Sequence, residues 1–287
     1  MVNWNVFDIR VPGKWVLAGE HSVLRGGSAV ALPHPEFSLG LSFRPQPCKL
    51  EIEPKSGQEI IEELLDAVEG DFASQGRAFI RPRGKLKIES SIPMGAGLGS
   101  SAALCVALSK WMTTPFSLNG SEVAGFATRM ENRFHGKSSG MDVSAILAGV
   151  PILFSREKGP ISLKLKKLPT FNFHDSGLRA ETSRCIEKVE QFGLESPAAA
   201  SEIDRQMDAA AKAASQALLR FDSERNSEAL ADLAQAMKSA HACFVAWGLV
   251  PQKVLEMEST LYSQGALAVK LTGAGGGGSL VSLWESS

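Results

Sequence analysis

The chain has 287 residues, enough for one large or two medium domains at roughly 100–200 residues each. Apolar residues make up 44% and charged residues 21%, and the formal net charge is −1. That balance suits a globular enzyme with a full core and gives no basic excess to draw nucleic acid or an anionic membrane. Met1 to Arg10 carries no apolar signal region, and no run of about 18 apolar residues occurs. Neither a membrane span nor a secretion signal is therefore expected. Cys48, Cys105, Cys185 and Cys243 are too far apart for a CxxC metal or redox pair, and a cytoplasmic location is expected.

In chain order, Val6–Val11 and Trp15–Ala18 read as two short strands around Pro12-Gly13. Phe37–Phe43 and Lys49–Glu53 alternate apolar and polar residues, as half-buried strands do. Glu59–Phe72 has helical spacing, with Ile60, Ile61, Leu64, Leu65 and Val68 expected on one face. Lys85–Glu89 is a further strand, followed by a glycine-rich turn and a buried helix over Ser100–Met112. Asn119 and Glu122 are spaced as N-cap and third residue of a helix that runs to about Phe134 and stops before Gly136. Val150–Phe154, Ile161–Leu165 and Thr170–His174 read as strands, the first an edge strand or a strand start because of Pro151. From Ser183 to Ser263 the pattern is mainly helical, and the chain ends in strand, glycine loop and strand. The change in composition near Glu157–Pro160 predicts two domains, 1–158 and 159–287. Strands and helices interleaved in both halves predict an α+β fold.

Three segments carry chemistry. Gly95, Ala96, Gly97, Leu98, Gly99, Ser100 and Ser101 lie between a strand and a strong helix. Glycines let backbone N–H groups turn inward, and the helix start adds the positive end of its dipole, so the segment suits a phosphate. A serine-capped tight turn is the plainer alternative. Gly97–Ala102 also fits the G-x-G-x-x-A dinucleotide fingerprint, with Glu122 at a suitable distance, which keeps an NAD-type oxidoreductase open. No lysine follows as in a Walker loop. The second segment, Glu131 to Asp142, sets two carboxylates about a glycine-containing turn. They could serve as metal ligand and acid/base, or as a solvated helix end and the cap of the next helix. The third has five glycines between Gly273 and Gly278, more than a hairpin needs, and points to close backbone approach to a ligand. Lys14 would by itself be an ordinary solvated turn residue, and Glu20 with His21 a surface pair or a satisfied core pair.

Taken together, Pro12–Leu24, Pro93–Ala103 and Lys270–Gly278 resemble, in order, the three motifs of the GHMP kinases. Gly19-Glu20-His21, the His135–Asp142 segment, the Lys270–Gly278 segment and Asp175-Ser176-Gly177 with Thr182 are most similar to the mevalonate kinase family. The resemblance implies a domain like ribosomal protein S5 domain 2, then a ferredoxin-like domain, with the active site between them. It implies ATP and Mg2+, and mevalonate as acceptor. By the same resemblance, Asp142 is the catalytic aspartate and Lys14 its partner. Ser100 and Glu131 hold the metal, and Gly95 to Ser101 cradle the triphosphate. Glu20, His21, Gly273, Ala274 and Gly275 lie on the substrate side. Family members are often homodimers. Where the family commonly has Asn or Thr and then Pro after His-Gly, this chain has Lys137 and Ser138. Phosphomevalonate, homoserine and sugar kinases share the motifs, and a non-catalytic binding protein could share the fold.

Overall fold

A computed structural model describes residues 4–76, 79–116, 118–136 and 138–285; Lys137, part of the departure from the family pattern, lies outside them. The first sheet contains β1 (Phe7–Ala18), β2 (Ala29–Pro45), β3 (Glu51–Glu53), β4 (Gly84–Ser90), β5 (Ile152–Ser155) and β6 (Gly159–Ser162). Its order is β3-β4-β2-β5-β6, with β1 paired to β2. Helices α1 (Gln58–Ser74), α2 (Ser100–Thr113), α3 (Gly120–His135) and α4 (Met141–Ala148) belong to this half. The second sheet is β7 (Thr170–Asp175), β9 (Ser279–Trp284) and β8 (Ala268–Leu271), all antiparallel. With it go α5 (Thr182–Glu195), α6 (Pro197–Glu224), α7 (Ser227–Ala246) and α8 (Gln252–Ser263).

Local chemistry accounts for most of these elements. The Asn119 side chain accepts the Ser121 and Glu122 N–H groups while Glu122 reaches back to the Asn119 N–H, a complete capping box at the start of α3. Glu122 is thereby engaged in a cap, which removes it as the acidic partner of a dinucleotide site. In α1 the buried stripe is Ile61, Leu64, Leu65, Val68 and Phe72. Ile60, expected on that face, is exposed, because it lies about 100° off the stripe. The alanine-rich α6 and α7 pack on each other and bury Ala210, Ala214, Ala236 and Ala240, whose small side chains permit close approach. Cys105 and Cys243 are buried, as their apolar surroundings suggested.

Four features of the strands bear on the site. The two short strands expected around Pro12-Gly13 are one strand, β1, with a break in register there: Pro12 faces Ser38 but Lys14 faces Pro33. The intervening His34–Phe37 stretch of β2 bulges out, and such a bulge re-aims the side chains beside it. β2 also begins eight residues before Phe37, with Pro33 the last residue paired to β1 before the break and Pro35 inside it. β5 lies between β2 and β6, so Pro151 marks a strand start and not an edge. β6 pairs with β5, so the boundary expected at 158/159 falls inside a hairpin of the first sheet; the chain changes sheets between Ser162 and Thr170.

Candidate active site

The register break in β1 falls beside Lys14, whose ladder partner is Pro33. Its backbone N–H donates to the Leu98 carbonyl at 3.0 Å and its Nζ to the Gly97 carbonyl at 3.1 Å. The same Nζ is 2.9 Å from Oδ2 of Asp142. A lysine that sequence position alone would make a solvated turn residue is 3% exposed. Asp142 lies in the first turn of α4, after Gly140 in the left-handed conformation. Its side chain is about a quarter exposed, so it faces the open side of the pair.

Glu131, near the end of α3, is 2% exposed. The Ser138 hydroxyl donates to its Oε2 at 2.5 Å, and the Ser138 N–H is held by Asn132 Oδ1 at 2.7 Å. Burial first, and the negative charge of Asp142 second, push the Glu131 carboxyl up to about 7. A buried carboxyl raised by a neighbouring carboxylate is the donor chemistry that a hard divalent cation relieves, so these residues fit a magnesium ion. No group of three or more His, Cys, Asp or Glu side chains clusters as a metal site among the described residues.

The glycine loop before α2 takes its shape from Gly95, Gly97 and Gly99, all with φ near +70°. The N-cap of α2 is Gly99, which has no side chain to cap the helix, so its positive end faces the loop. Gly97 and Gly99 are required for packing as well as for φ. A Cβ on Gly97 would lie 2.4 Å from the Thr272 carbonyl, and one on Gly99 would lie 2.7 Å from Cγ of Lys14.

The C-terminal glycine loop presses against this one. Ser279 N–H donates to the Ala96 carbonyl at 3.1 Å, and Thr272 Oγ1 accepts the Val16 N–H at 2.7 Å. A Cβ on Gly273 would meet the Gly97 α-carbon at 2.7 Å, and one on Gly275 would meet Leu249 Cβ at 2.8 Å. His21, itself at φ 60°, donates from Nε2 to the Ala274 carbonyl at 2.8 Å. Burial pushes its imidazole down to about 4, so it is neutral.

Glu20 and Lys270 form a fully enclosed ion pair at 2.6 Å between the end of β1 and β8. Lys270 Nζ also donates to the Val16 and Leu271 carbonyls, and Glu20 Oε2 has no hydrogen-bond partner among the described residues. Burial pushes the Glu20 carboxyl up and the Lys270 ammonium down, while their contact works against both shifts.

The sequence reading gave no role to Lys270, Thr272, Ser138 or Arg156. Lys270 and Thr272 entered only as letters of the Lys270–Gly278 motif and Ser138 only as a departure from the family pattern. Arg156 donates to the carbonyls of Leu24 at 3.1 Å and Ser138 at 3.0 Å. It lines a cleft of about 700 Å³ with Leu24, Arg25, Val189 and Asp204. Arg25 is paired with Asp204, whereas no carboxylate pairs with Arg156 among the described residues. No helix among the described residues is long and apolar enough to cross a membrane.

Residues 59–150 match the family of GHMP kinases N terminal domains. The mevalonate kinase of Aeropyrum pernix is 30% identical over 295 residues, covering 96% of this chain and 87% of that protein. The crystal structure of L. major mevalonate kinase in complex with R-mevalonate superposes with a TM-score of 0.78 at 23% identity, covering 98% of this chain and 88% of that one. Streptococcus pneumoniae phosphomevalonate kinase has a TM-score of 0.75 at 17% identity, covering 98% and 92%. The two structural likenesses speak to the fold, and a fold shared by enzymes for different acceptors does not choose between them.

Proposed function

The chain belongs to the mevalonate kinase family of GHMP kinases, and from that premise we propose that it transfers the terminal phosphoryl group of ATP to the 5-hydroxyl of mevalonate. The observation that carries this reading is the contact of Lys14 with both Asp142 and the glycine loop. It sets an acid/base pair beside a phosphate cradle.

Phosphoryl transfer asks a protein mainly for in-line positioning and charge stabilisation. The loop from Gly95 through Ser101 and the open end of α2 hold the triphosphate. Asp142 accepts a hydrogen bond from the acceptor hydroxyl and orients it, and Lys14 stabilises negative charge that develops on that oxygen. Glu131 and Ser100 would hold Mg2+, which when bound neutralises charge on the phosphate oxygens. Glu20 and His21 are tied by Lys270 and Ala274, so they act by shaping the floor under the acceptor and tying the turn after β1 to β8 and the C-terminal glycine loop. Gly273 and Gly275 keep that junction tight. Arg156, a cation with carbonyl partners at the mouth of the neighbouring cleft, suits the carboxylate of a hydroxy acid. Four free cysteines suit a reducing, cytoplasmic setting.

The test is ADP release with magnesium-ATP over mevalonate, 5-phosphomevalonate, homoserine and galactose. Release with mevalonate alone is expected. Release with another acceptor and none with mevalonate would keep the mechanism and discard the substrate. No release with any of them would discard the reading.

A further inference from the structure

Arg179 lies outside every role assigned above. It stands in the turn between β7 and α5, in the second half of the chain, yet its aliphatic stem lies across Gly95 at the entrance of the phosphate loop. A Cβ on Gly95 would sit 3.3 Å from Arg179 Cδ and 3.7 Å from its Cβ. The guanidinium is gripped by both oxygens of Asp175, Nη1 at 2.7 Å and Nη2 at 2.6 Å. Asp175 is in turn fixed by the Gly177 N–H at 2.9 Å, and the arginine's pull first, then that N–H, bring its carboxyl down to about 2.

The turn is not free to drift. Ser176 N–H donates to the Gly278 carbonyl and Gly278 N–H to the Leu178 carbonyl, both at 2.9 Å, and Ser279 N–H reaches Ala96 in the phosphate loop. Arg179 is therefore held at a set place on the rim of the cradle by a chain of backbone bonds between the two loops.

The ordinary account of such a pair is a surface salt bridge, which would contribute little. Three features favour a ligand instead. The stem crosses from one half of the molecule to the other and ends at a loop shaped for phosphate. The side chain is 42% exposed, and although Nη1 also donates to the Leu178 carbonyl at 3.0 Å, no bond of Nε is among those of the described residues. The charge is also needed. Of the side chains that close on the loop's glycines, those with a positive charge are Lys14 and Arg179, and Lys14 already faces Asp142. A triphosphate carries more negative charge than one divalent cation offsets, and a planar guanidinium matches phosphate oxygens in a way that an ammonium does not.

We propose that Arg179, aimed by Asp175, binds the phosphates of the nucleotide from the second half of the chain, so that ATP is clamped between the two halves. This rests on the kinase reading above. It assigns the nucleotide a contact that the three glycine and lysine motifs do not contain.

The experiment is equilibrium binding of ATP and of adenosine to the wild-type enzyme and to the Arg179→Gln and Arg179→Lys variants, with mevalonate turnover of the wild type measured alongside. Loss of a charged hydrogen bond should weaken ATP binding by roughly 10- to 100-fold in Arg179→Gln. Adenosine binding should stay within about twofold, because adenosine has no phosphate to lose. Arg179→Lys should recover part of the ATP affinity. ATP binding of Arg179→Gln within about twofold of an active wild type would overturn the proposal and leave the kinase reading intact. Equal losses for ATP and adenosine would overturn it in favour of a structural role. A wild type that binds no ATP would overturn both.

Discussion

Replacing Lys270 by methionine removes one charge from a pair that both sheets enclose. In the native protein its Nζ is surrounded by three oxygens, Glu20 Oε1 at 2.6 Å, the Val16 carbonyl at 3.2 Å and the Leu271 carbonyl at 2.5 Å. Methionine fills the volume of the stem but donates nothing. Glu20 is then left buried with neither oxygen paired, since Oε2 already lacks a partner among the described residues. Breaking a buried ion pair in this way costs about 3–5 kcal/mol, well above the ~1 kcal/mol of an exposed pair. For a chain of this size that is a fall in Tm on the order of 10 °C. The double variant Lys270→Met, Glu20→Leu removes both charges and should recover at least half of the loss, because an apolar pair has no charge to desolvate. Urea and thermal melts of the wild type, both single variants and the double variant give the coupling energy. If Lys270→Met costs less than about 1 kcal/mol, or the two single losses simply add, the pair is not the buried joint described here. Turnover should fall with stability, since Glu20 and Lys270 join β1 to β8 beneath the glycine loops.

The other expectations are read in simpler assays. Asp142→Asn keeps the shape of the side chain but loses the charge that faces Lys14. The kcat should fall by roughly 10²- to 10⁴-fold with ATP affinity preserved, and unchanged turnover would remove Asp142 from the mechanism. Gly97→Ala forces a Cβ to within 2.4 Å of the Thr272 carbonyl at a φ of +78°. Stability should drop by about 1–3 kcal/mol or more and KM for ATP should rise, whereas a variant with native Tm and KM would mean that the two loops do not meet as described. His21 titrates at 6.5 when unfolded and at about 4 when folded, so the unfolded state binds more protons between those values. Its contribution is complete above pH 6.5 and is lost as pH falls toward 4, a loss of about 2 kcal/mol between pH 7 and pH 5. Urea melts at pH 7, 6 and 5 should show a steeper decline for the wild type than for His21→Gln, and parallel slopes would refute the buried neutral imidazole.

Much of this protein can be read from local pattern, because the interactions responsible are local. Asn119 and Glu122 announce the start of α3 since a capping box closes within four residues. The stripe of α1 from Ile61 to Phe72 and the alanine faces of α6 and α7 follow from helical period. The glycines at 95, 97, 99, 273 and 275 mark places where φ is positive and backbone meets backbone, and both loops are found where their spacing put them.

What the tertiary structure decided is who meets whom across the chain. The resemblance implies that Lys14 partners Asp142, but no spacing says so, nor that Glu20 will be sealed against Lys270, because those contacts exist only after a register break in β1 and the docking of two glycine loops. Residue type is equally silent on burial. Lys14, Glu20, Glu131 and Lys270 look like solvent-facing charges in sequence, and the fold encloses all four. Their altered chemistry is a property of that enclosure, since the cost of a charge depends on the water around it and not on its neighbours along the chain. Arg179 makes the same point from the surface. Its position after Asp175 is legible, but only the packing of its turn against Gly95 places its charge at the phosphate loop.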